Sequence, residues 1–261
     1  MGERARYEPG TFTWVDLSTS DAEGAKRFYG DLFGWEAEDM PAGDGAIYSM
    51  CRLRARYVAG ISEQGEPETR RGMPPHWNNY VTVDDLEAAT ERARALGGNV
   101  LAEPFDVLDA GRMAVIQDPA GATFMLWQAR RHIGAGLVNE PGCLTWNDLS
   151  TPDPDAAMDF YRGLFGWRAE AVDAPGADYW VWYNGERTNG GMLRITERMP
   201  GVPPNWMPYF AVDSVDEALG TVESGGGRRV AGPNEVPYGR FVVATDPQGA
   251  HFAVYEGEFD D

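Results

Sequence analysis

Two aspartates sit in matching strand-like stretches, Trp14-Val15-Asp16-Leu17-Ser18 and Trp146-Asn147-Asp148-Leu149-Ser150. Side chains alternate faces along an extended chain, so each Asp shares a face with the Trp two residues before it. A carboxylate beside an indole offers a hydrogen-bond and proton acceptor next to a flat aromatic surface. Enclosed there, the carboxyl acquires a raised pKa and can serve as an acid or base. The same alternation brings Asn78 and Tyr80 to that face in the first half, and Met207 and Tyr209 in the second. Met125 and Trp127 join on the last strand of the first half, and His251, Ala253 and Tyr255 on the last strand of the second. Asp148, Tyr209 and His251 are the candidate catalytic groups.

The chain has three histidines, His76, His132 and His251. His76 belongs to a Pro-Pro-x-Trp loop, and His132 lies between the halves. His251 lies on a strand and has Thr123 as its counterpart. A lone strand histidine is also what ordinary packing produces. No Gly-rich stretch joins a strand to a helix with phosphate-binding spacing, and there is no Gly-x-Ser-x-Gly elbow.

The elements that must position these residues are written twice. Pro9–Thr19 returns as Pro141–Thr151, and Phe28-Tyr29-x-x-Leu-Phe-Gly34-Trp35 returns as Phe160-Tyr161-x-x-Leu-Phe-Gly166-Trp167. A repeat this long is a duplicated domain rather than a solenoid. It divides the chain into modules at 1–130 and 141–261, joined by a linker at 131–140. In the first module, strands are predicted at 12–17, 46–53, 57–62, 79–83, 99–102, 112–117 and 123–128. Ser20 and Glu23 form a capping-box pattern for a helix over 21–33, stopped by Gly34. In the second module Asp153 caps, Pro154 takes the first helical position and Gly166 stops the helix. Asp84 and Asp213 are expected to cap a second helix in each module. The order is β-α-β-β-β, twice per module, which implies an α+β fold with helices on one face of curved, antiparallel-rich sheets.

Net charge is −19 over 261 residues. That disfavours nucleic acid or an anionic membrane as partner and would attract a cation. The two cysteines, Cys51 and Cys143, stand one per module at non-equivalent points, so no module closes its own disulfide and a reducing compartment is the default. The first residues lack an apolar signal core, and no apolar run reaches membrane-spanning length. The expectation is a soluble cytoplasmic protein, a monomer or homodimer.

The repeated motifs, with the Val83-Asp84-Asp85 step and the Asp118-Pro119-x-Gly121 turn, resemble the vicinal oxygen chelate superfamily of glyoxalases, extradiol dioxygenases and bleomycin-resistance proteins. The resemblance implies paired βαβββ units forming cups that hold a small molecule. Metal-dependent members place ligands on the first strand, before the Val-Asp-Asp step and on the last strand. By register those positions fall here on Trp14 and Trp146, Asn78 and Met207, and Met125 and Ala253. None is a His, Glu or Cys, so no metal and no cofactor is expected.

The cup positions carry large apolar and aromatic groups instead. Trp faces stack on planar ligands and hold cations. The ligand-lining set is Trp14, Asp16, Asn78, Tyr80, Met125, Trp127, Trp146, Asp148, Met207, Tyr209, His251 and Tyr255. An alternative is that the Trp residues plug the cups and the Asp residues bond backbone or indole; a third is one plugged cup and one open. Trp180-Val181-Trp182-Tyr183, set beside Tyr48-Ser49-Met50-Cys51, belongs either to the second cup or to the core or an interface. The favoured function is metal-independent binding of an aromatic or cationic-aromatic metabolite or antibiotic, as the bleomycin-resistance branch implies. The alternatives are a lyase, isomerase or oxygenase, or a protein-interaction role through the loops at 72–77 and 201–206.

Overall fold

The computed structural model describes residues 2–43, 45–174 and 176–258. The first half runs β1 (Phe12–Thr19), α1 (Ala22–Phe33), β2 (Glu36–Pro41), β3 (Ile47–Leu53), β4 (Arg56–Glu63), a short α2 (Glu66–Arg70), β5 (His76–Thr82), α3 (Leu86–Ala95), β6 (Asn99–Val107), β7 (Gly111–Gln117) and β8 (Thr123–Ala129). The second runs β9 (Leu144–Thr151), α4 (Pro154–Phe165), β10 (Arg168–Ala174), β11 (Ala177–Asn184), β12 (Arg187–Arg194), β13 (Asn205–Ala211), α5 (Val215–Ser224), β14 (Arg228–Val236), β15 (Gly239–Thr245) and β16 (His251–Gly257).

Each half forms one 8-stranded mixed sheet, ordered β2-β3-β4-β1-β5-β8-β7-β6 and β10-β11-β12-β9-β13-β16-β15-β14. Two βαβββ units meet at the centre of each sheet. Their first strands pair antiparallel, and each first strand runs parallel to the last strand of its own unit. The fold class is therefore α+β.

Local chemistry sets the helices. On α1 the buried residues Ala25, Phe28, Tyr29 and Phe33 follow helical spacing and form one apolar stripe. The α1 cap is Asp21, whose carboxylate accepts from the Gly24 N–H, one residue later than the Ser20 expectation. Asp153 and Pro154 open α4 as expected, and Gly34 and Gly166 end α1 and α4 at φ 72° and 78°. Asp85 and Ser214 cap α3 and α5, rather than Asp84 and Asp213.

Strands β2 and β10 escaped the sequence reading. They are edge strands, and all of β2 is exposed, so no apolar alternation marks them. β6 runs past its predicted end to Val107, through Pro104. A proline is tolerated there because β6 is the opposite edge.

The helix-bearing faces of the two sheets pack against each other, crosswise. One core joins Leu17, Phe28 and Tyr29 to Phe210, Val222 and Phe252. The other joins Val81, Leu86 and Phe124 to Phe160, Trp167 and Trp206. Trp77 and Trp206, expected in exposed loops, lie on β5 and β13 and are buried in these cores. Trp182 is fully buried in the second core beside Trp167, with Trp180 packed against it, so this pair does not wall the cup.

Asn147 is a buried polar residue on the core side of β9. It donates from Nδ2 to Asn79 Oδ1 across the interface (2.6 Å), and Asn79 Nδ2 donates to the Trp206 carbonyl (3.1 Å). Asn147→Ala strands the Asn79 carbonyl oxygen in the core and should cost about 1–3 kcal/mol. Urea unfolding should show a lower midpoint with an unchanged slope; an unchanged midpoint would mean the Asn pair contributes nothing net.

Candidate binding cups

The faces opposite the helices are the cups. In the first, β1 presents Trp14, Asp16 and Ser18. Antiparallel β5 sets Tyr80 opposite Trp14 and Asn78 opposite Asp16, while parallel β8 sets Met125 beside Tyr80. Asp16 sits at the centre, 4% exposed. Its Oδ1 accepts from Asn78 Nδ2 (2.8 Å), and its Oδ2 from Tyr80 (2.7 Å) and Tyr48 (2.9 Å). The Trp14 indole N–H donates to Tyr48 Oη (2.8 Å).

The second cup repeats this around Asp148. Its Oδ1 accepts from Tyr179 (2.7 Å) and from Trp146 Nε1 (3.0 Å), and Tyr209 supplies a further hydrogen bond. Trp146 Nε1 also donates to Tyr179 Oη (3.0 Å).

Tyr48 and Tyr179 were not among the sequence candidates. Each reaches across a whole strand, and a glycine makes the crossing possible. Gly60 lies beside Asp16 on β4, and Gly191 beside Asp148 on β12. A Cβ on Gly60 would stand 2.0 Å from Tyr48 Oη, and one on Gly191 would stand 1.9 Å from Tyr179 Oη. Tyr48 thus matches Tyr179, not Trp180. The match of the 180–183 run to Tyr48-Ser49-Met50-Cys51 was one residue off, and one residue exchanges the faces of a strand.

Burial raises the Asp148 carboxyl above the usual range, against the hydrogen bonds of Tyr179, Tyr209 and Trp146. Asp16 is raised likewise, against Tyr80, Asn78 and Tyr48. Tyr48, Tyr80, Tyr179 and Tyr209 are pushed well up, chiefly by burial and then by the neighbouring carboxyl, so they are neutral donors. A carboxyl with a raised folded pKa favours the fold below its unfolded pKa and loses that contribution as pH rises through the folded value. Asp148→Asn cannot ionise. Its stability relative to the parent should therefore improve as pH goes from about 3 to 7, read by urea unfolding across that range. The opposite slope would show that the three donors outweigh burial.

The two cups differ in their cover. Residues 131–140 fold back over the first as a strap. Ala135 N–H donates to the Thr13 carbonyl (2.7 Å), Gly136 N–H to that of Tyr57 (2.8 Å), and the Trp127 indole to that of His132 (2.9 Å). The His132 ring stands edge-on to Trp14 at 4.5 Å, and burial pulls its pKa down to about 4, so it is neutral. Gly134 allows the close approach, since a Cβ there would lie 1.9 Å from Thr13 Oγ1. Under the strap Trp14, Tyr80, Met125 and Trp127 form a closed cluster, none more than 7% exposed.

In the second cup Thr145, Trp146 and Tyr255 are half-buried where Thr13, Trp14 and Trp127 are buried, while Tyr179 and Met207 are half-buried like Tyr48 and Asn78 of the first. Tyr255 Oη donates to the Tyr238 carbonyl at the rim (2.8 Å). His251 is exposed at the start of β16 opposite Thr245, and no hydrogen bond joins it to the Asp148 cluster. Two clefts of about 210 Å³ lie elsewhere, one between α3 and α4 and one beside Tyr7 and Gln128, and neither touches the Asp clusters.

A family model described as the Glyoxalase/Bleomycin resistance protein/Dioxygenase superfamily matches residues 11–126 and again 143–254. The chain belongs to this superfamily. It is 46% identical to "Putative glyoxylase CFP32" of Mycobacterium tuberculosis, over 97% of both chains. It is 33% identical to "Anthracycline biosynthesis protein DnrV" of Streptomyces peucetius, over 96% of this chain and 94% of that one. Among solved structures, the 2,3-dioxygenase LapB from Pseudomonas sp. KL28 superposes with a TM-score of 0.68 at 16% identity, covering 97% of this chain and 94% of that one. The Mn(II)-bound glyoxalase from Novosphingobium aromaticivorans gives 0.65 at 15% identity, covering 100% and 85%. At such identities the superpositions speak for fold alone.

Superfamily membership raises the question of a metal. Among the described residues no three His, Cys, Asp or Glu side chains converge. Each cup centre offers one carboxylate, already engaged by hydroxyl, indole or amide donors. This donor set does not fit a divalent metal, which takes about three imidazole, carboxylate or thiolate ligands. Among the described residues no helix is long and apolar enough to cross a membrane.

Proposed function

We propose that this superfamily member binds a small aromatic molecule in its second cup, without a metal. One observation carries the reading: a half-buried Trp146 stands over a buried Asp148 that is held by Tyr179 and Tyr209, while the equivalent Trp14 is sealed under the strap. An aromatic wall with a few fixed polar groups is the usual make-up of a small-molecule site. Sequestration of an aromatic metabolite or antibiotic is the role it suits. The anthracycline biosynthesis relative is consistent with a planar polycyclic ligand. Each half already buries the helix face of the other, so a monomer is sufficient.

The test is titration of polycyclic aromatic compounds by tryptophan fluorescence, with mass analysis of the recovered ligand and metal analysis of the protein. Trp146→Ala should abolish binding, whereas Trp14→Ala should cost stability and leave binding in place. Stoichiometric metal surviving dialysis would overturn the metal-independent reading. A second reading, catalysis, is favoured by Asp148 itself: a buried carboxyl of raised pKa bonded to Tyr179 can carry a proton. Recovery of a converted ligand would decide for it.

A further inference from the structure

The strap that closes the first cup acts as an internal ligand for it. Its His132 ring stands 4.5 Å from Trp14, and the backbone that follows clasps Thr13. The Ile133 carbonyl accepts from Thr13 Oγ1 at 2.9 Å, and the Ala135 N–H donates to the Thr13 carbonyl at 2.7 Å. Two consecutive peptide bonds, 133–134 and 134–135, thus supply one acceptor and one donor to a single threonine. The β1–β5 ladder skips that threonine: Phe12 pairs with Val81 and Trp14 with Tyr80, which leaves Thr13 to the strap.

The second cup keeps the threonine and lacks what clasps it. The β9–β13 ladder skips Thr145 in the same way, pairing Leu144 with Phe210 and Trp146 with Tyr209. Among the described residues no acceptor takes the Thr145 hydroxyl, and no backbone N–H from outside the strands reaches its carbonyl. Thr145 is half-buried, whereas Thr13 is fully buried. The walls also differ in size. Tyr57, Met125 and Trp127 of the first cup are answered by Thr188, Ala253 and Tyr255, while Phe241 replaces the smaller Met113.

We infer that the second cup binds an aromatic ring bearing a peptide-like arm, whose two consecutive amides engage Thr145 as the strap engages Thr13. The ring lies against Trp146; one arm carbonyl accepts from the Thr145 hydroxyl, and the next arm N–H donates to the Thr145 carbonyl. This ligand chemistry deepens the binding function proposed above and rests on it.

Three naphthalene probes separate ring from arm in calorimetric titrations of the intact protein. N-(1-naphthylacetyl)glycine N-methylamide carries both amides in the order of the strap. The corresponding methyl ester has oxygen in place of the terminal N–H, and 1-naphthalenemethanol has no arm. The methylamide should bind about three- to tenfold more tightly than the ester, the factor expected for one neutral hydrogen bond, and more tightly still than the alcohol. Thr145→Val removes the hydroxyl and keeps the backbone carbonyl. It should weaken methylamide and ester alike by about three- to tenfold and preserve the preference between them. Equal binding of methylamide and ester would overturn the inference, as would undiminished binding of both to Thr145→Val. Equal binding of all three probes would overturn it and leave the aromatic cup standing. No binding of any probe at millimolar concentration would overturn the cup as well.

Discussion

Gly191→Ala is expected to abolish binding of polycyclic aromatic compounds, while Gly60→Ala leaves it intact. The added Cβ at 191 would lie 1.9 Å from Tyr179 Oη and 2.2 Å from Asp148 Oδ1. Neither distance is tolerable, so the tyrosine must leave the position from which it bonds both Asp148 and the Trp146 indole. Asp148 then keeps its burial with one donor fewer, and Trp146 loses one of the two hydrogen bonds that fix its ring. Overpacking and the lost bond together should cost about 2–4 kcal/mol. Gly60→Ala drives the same clash on Tyr48 and should destabilise to a similar degree. Its damage falls in the cup the strap already closes, so binding survives. Calorimetric titration and urea unfolding of both variants separate the two effects. Equal loss of binding in both variants would mean that the first cup is a ligand site too.

What the sequence revealed followed its periodicities. Strict alternation along β1 and β9 identified Trp14, Asp16, Trp146 and Asp148 as face-mates. Capping residues and glycines located α1 and α4, and the repeat paired the halves. The tyrosines that complete each cluster were hidden for a physical reason. They act from two strands away, across a glycine, and neither Ile47–Leu53 nor Ala177–Asn184 alternates cleanly. The signal was present all the same, because Tyr48 and Tyr179 are spaced across the repeat as Gly60 and Gly191 are. For Trp180 and Trp182 the sequence left cup and core both open, because the core side of β11 is as aromatic as any cup, and the structure decides for the core. Whether residues 131–140 seal a cup was not legible at all. It depends on carbonyls of Thr13 and Tyr57 that only the folded sheet brings within reach.

The motifs most visible in the sequence turn out to join the halves, and Tyr161→Phe should show how strongly. Tyr161 Oη donates to Asp118 Oδ2 (3.0 Å) and accepts from Trp206 Nε1 (2.8 Å), all inside the core between the sheets. Asp118 Oδ1 meanwhile accepts the backbone N–H groups of Ala120, Gly121 and Ala122, which shapes the turn after β7. The mirror arrangement links Tyr29, Asp246 and Trp77. Losing the Tyr161 hydroxyl leaves a buried carboxylate oxygen and a buried indole N–H without partners, at a cost of about 2–5 kcal/mol. Burial already raises the Asp118 carboxyl, and the Tyr161 hydrogen bond opposes that rise. Without it the folded pKa climbs further, and stability is lost as pH rises through that value. The deficit of Tyr161→Phe should therefore be smaller near pH 3 than near pH 7, roughly the span over which a buried carboxyl ionises. Tyr29→Phe should behave alike. The two changes lie in separate cores, so the double variant should show the sum of their costs. A deficit independent of pH would assign the loss to packing rather than to the carboxyl. Strict dependence on pH would explain why the Phe-Tyr helix ending and the Asp-Pro turn occur together in both halves: each half brings one end of the other's hydrogen bond.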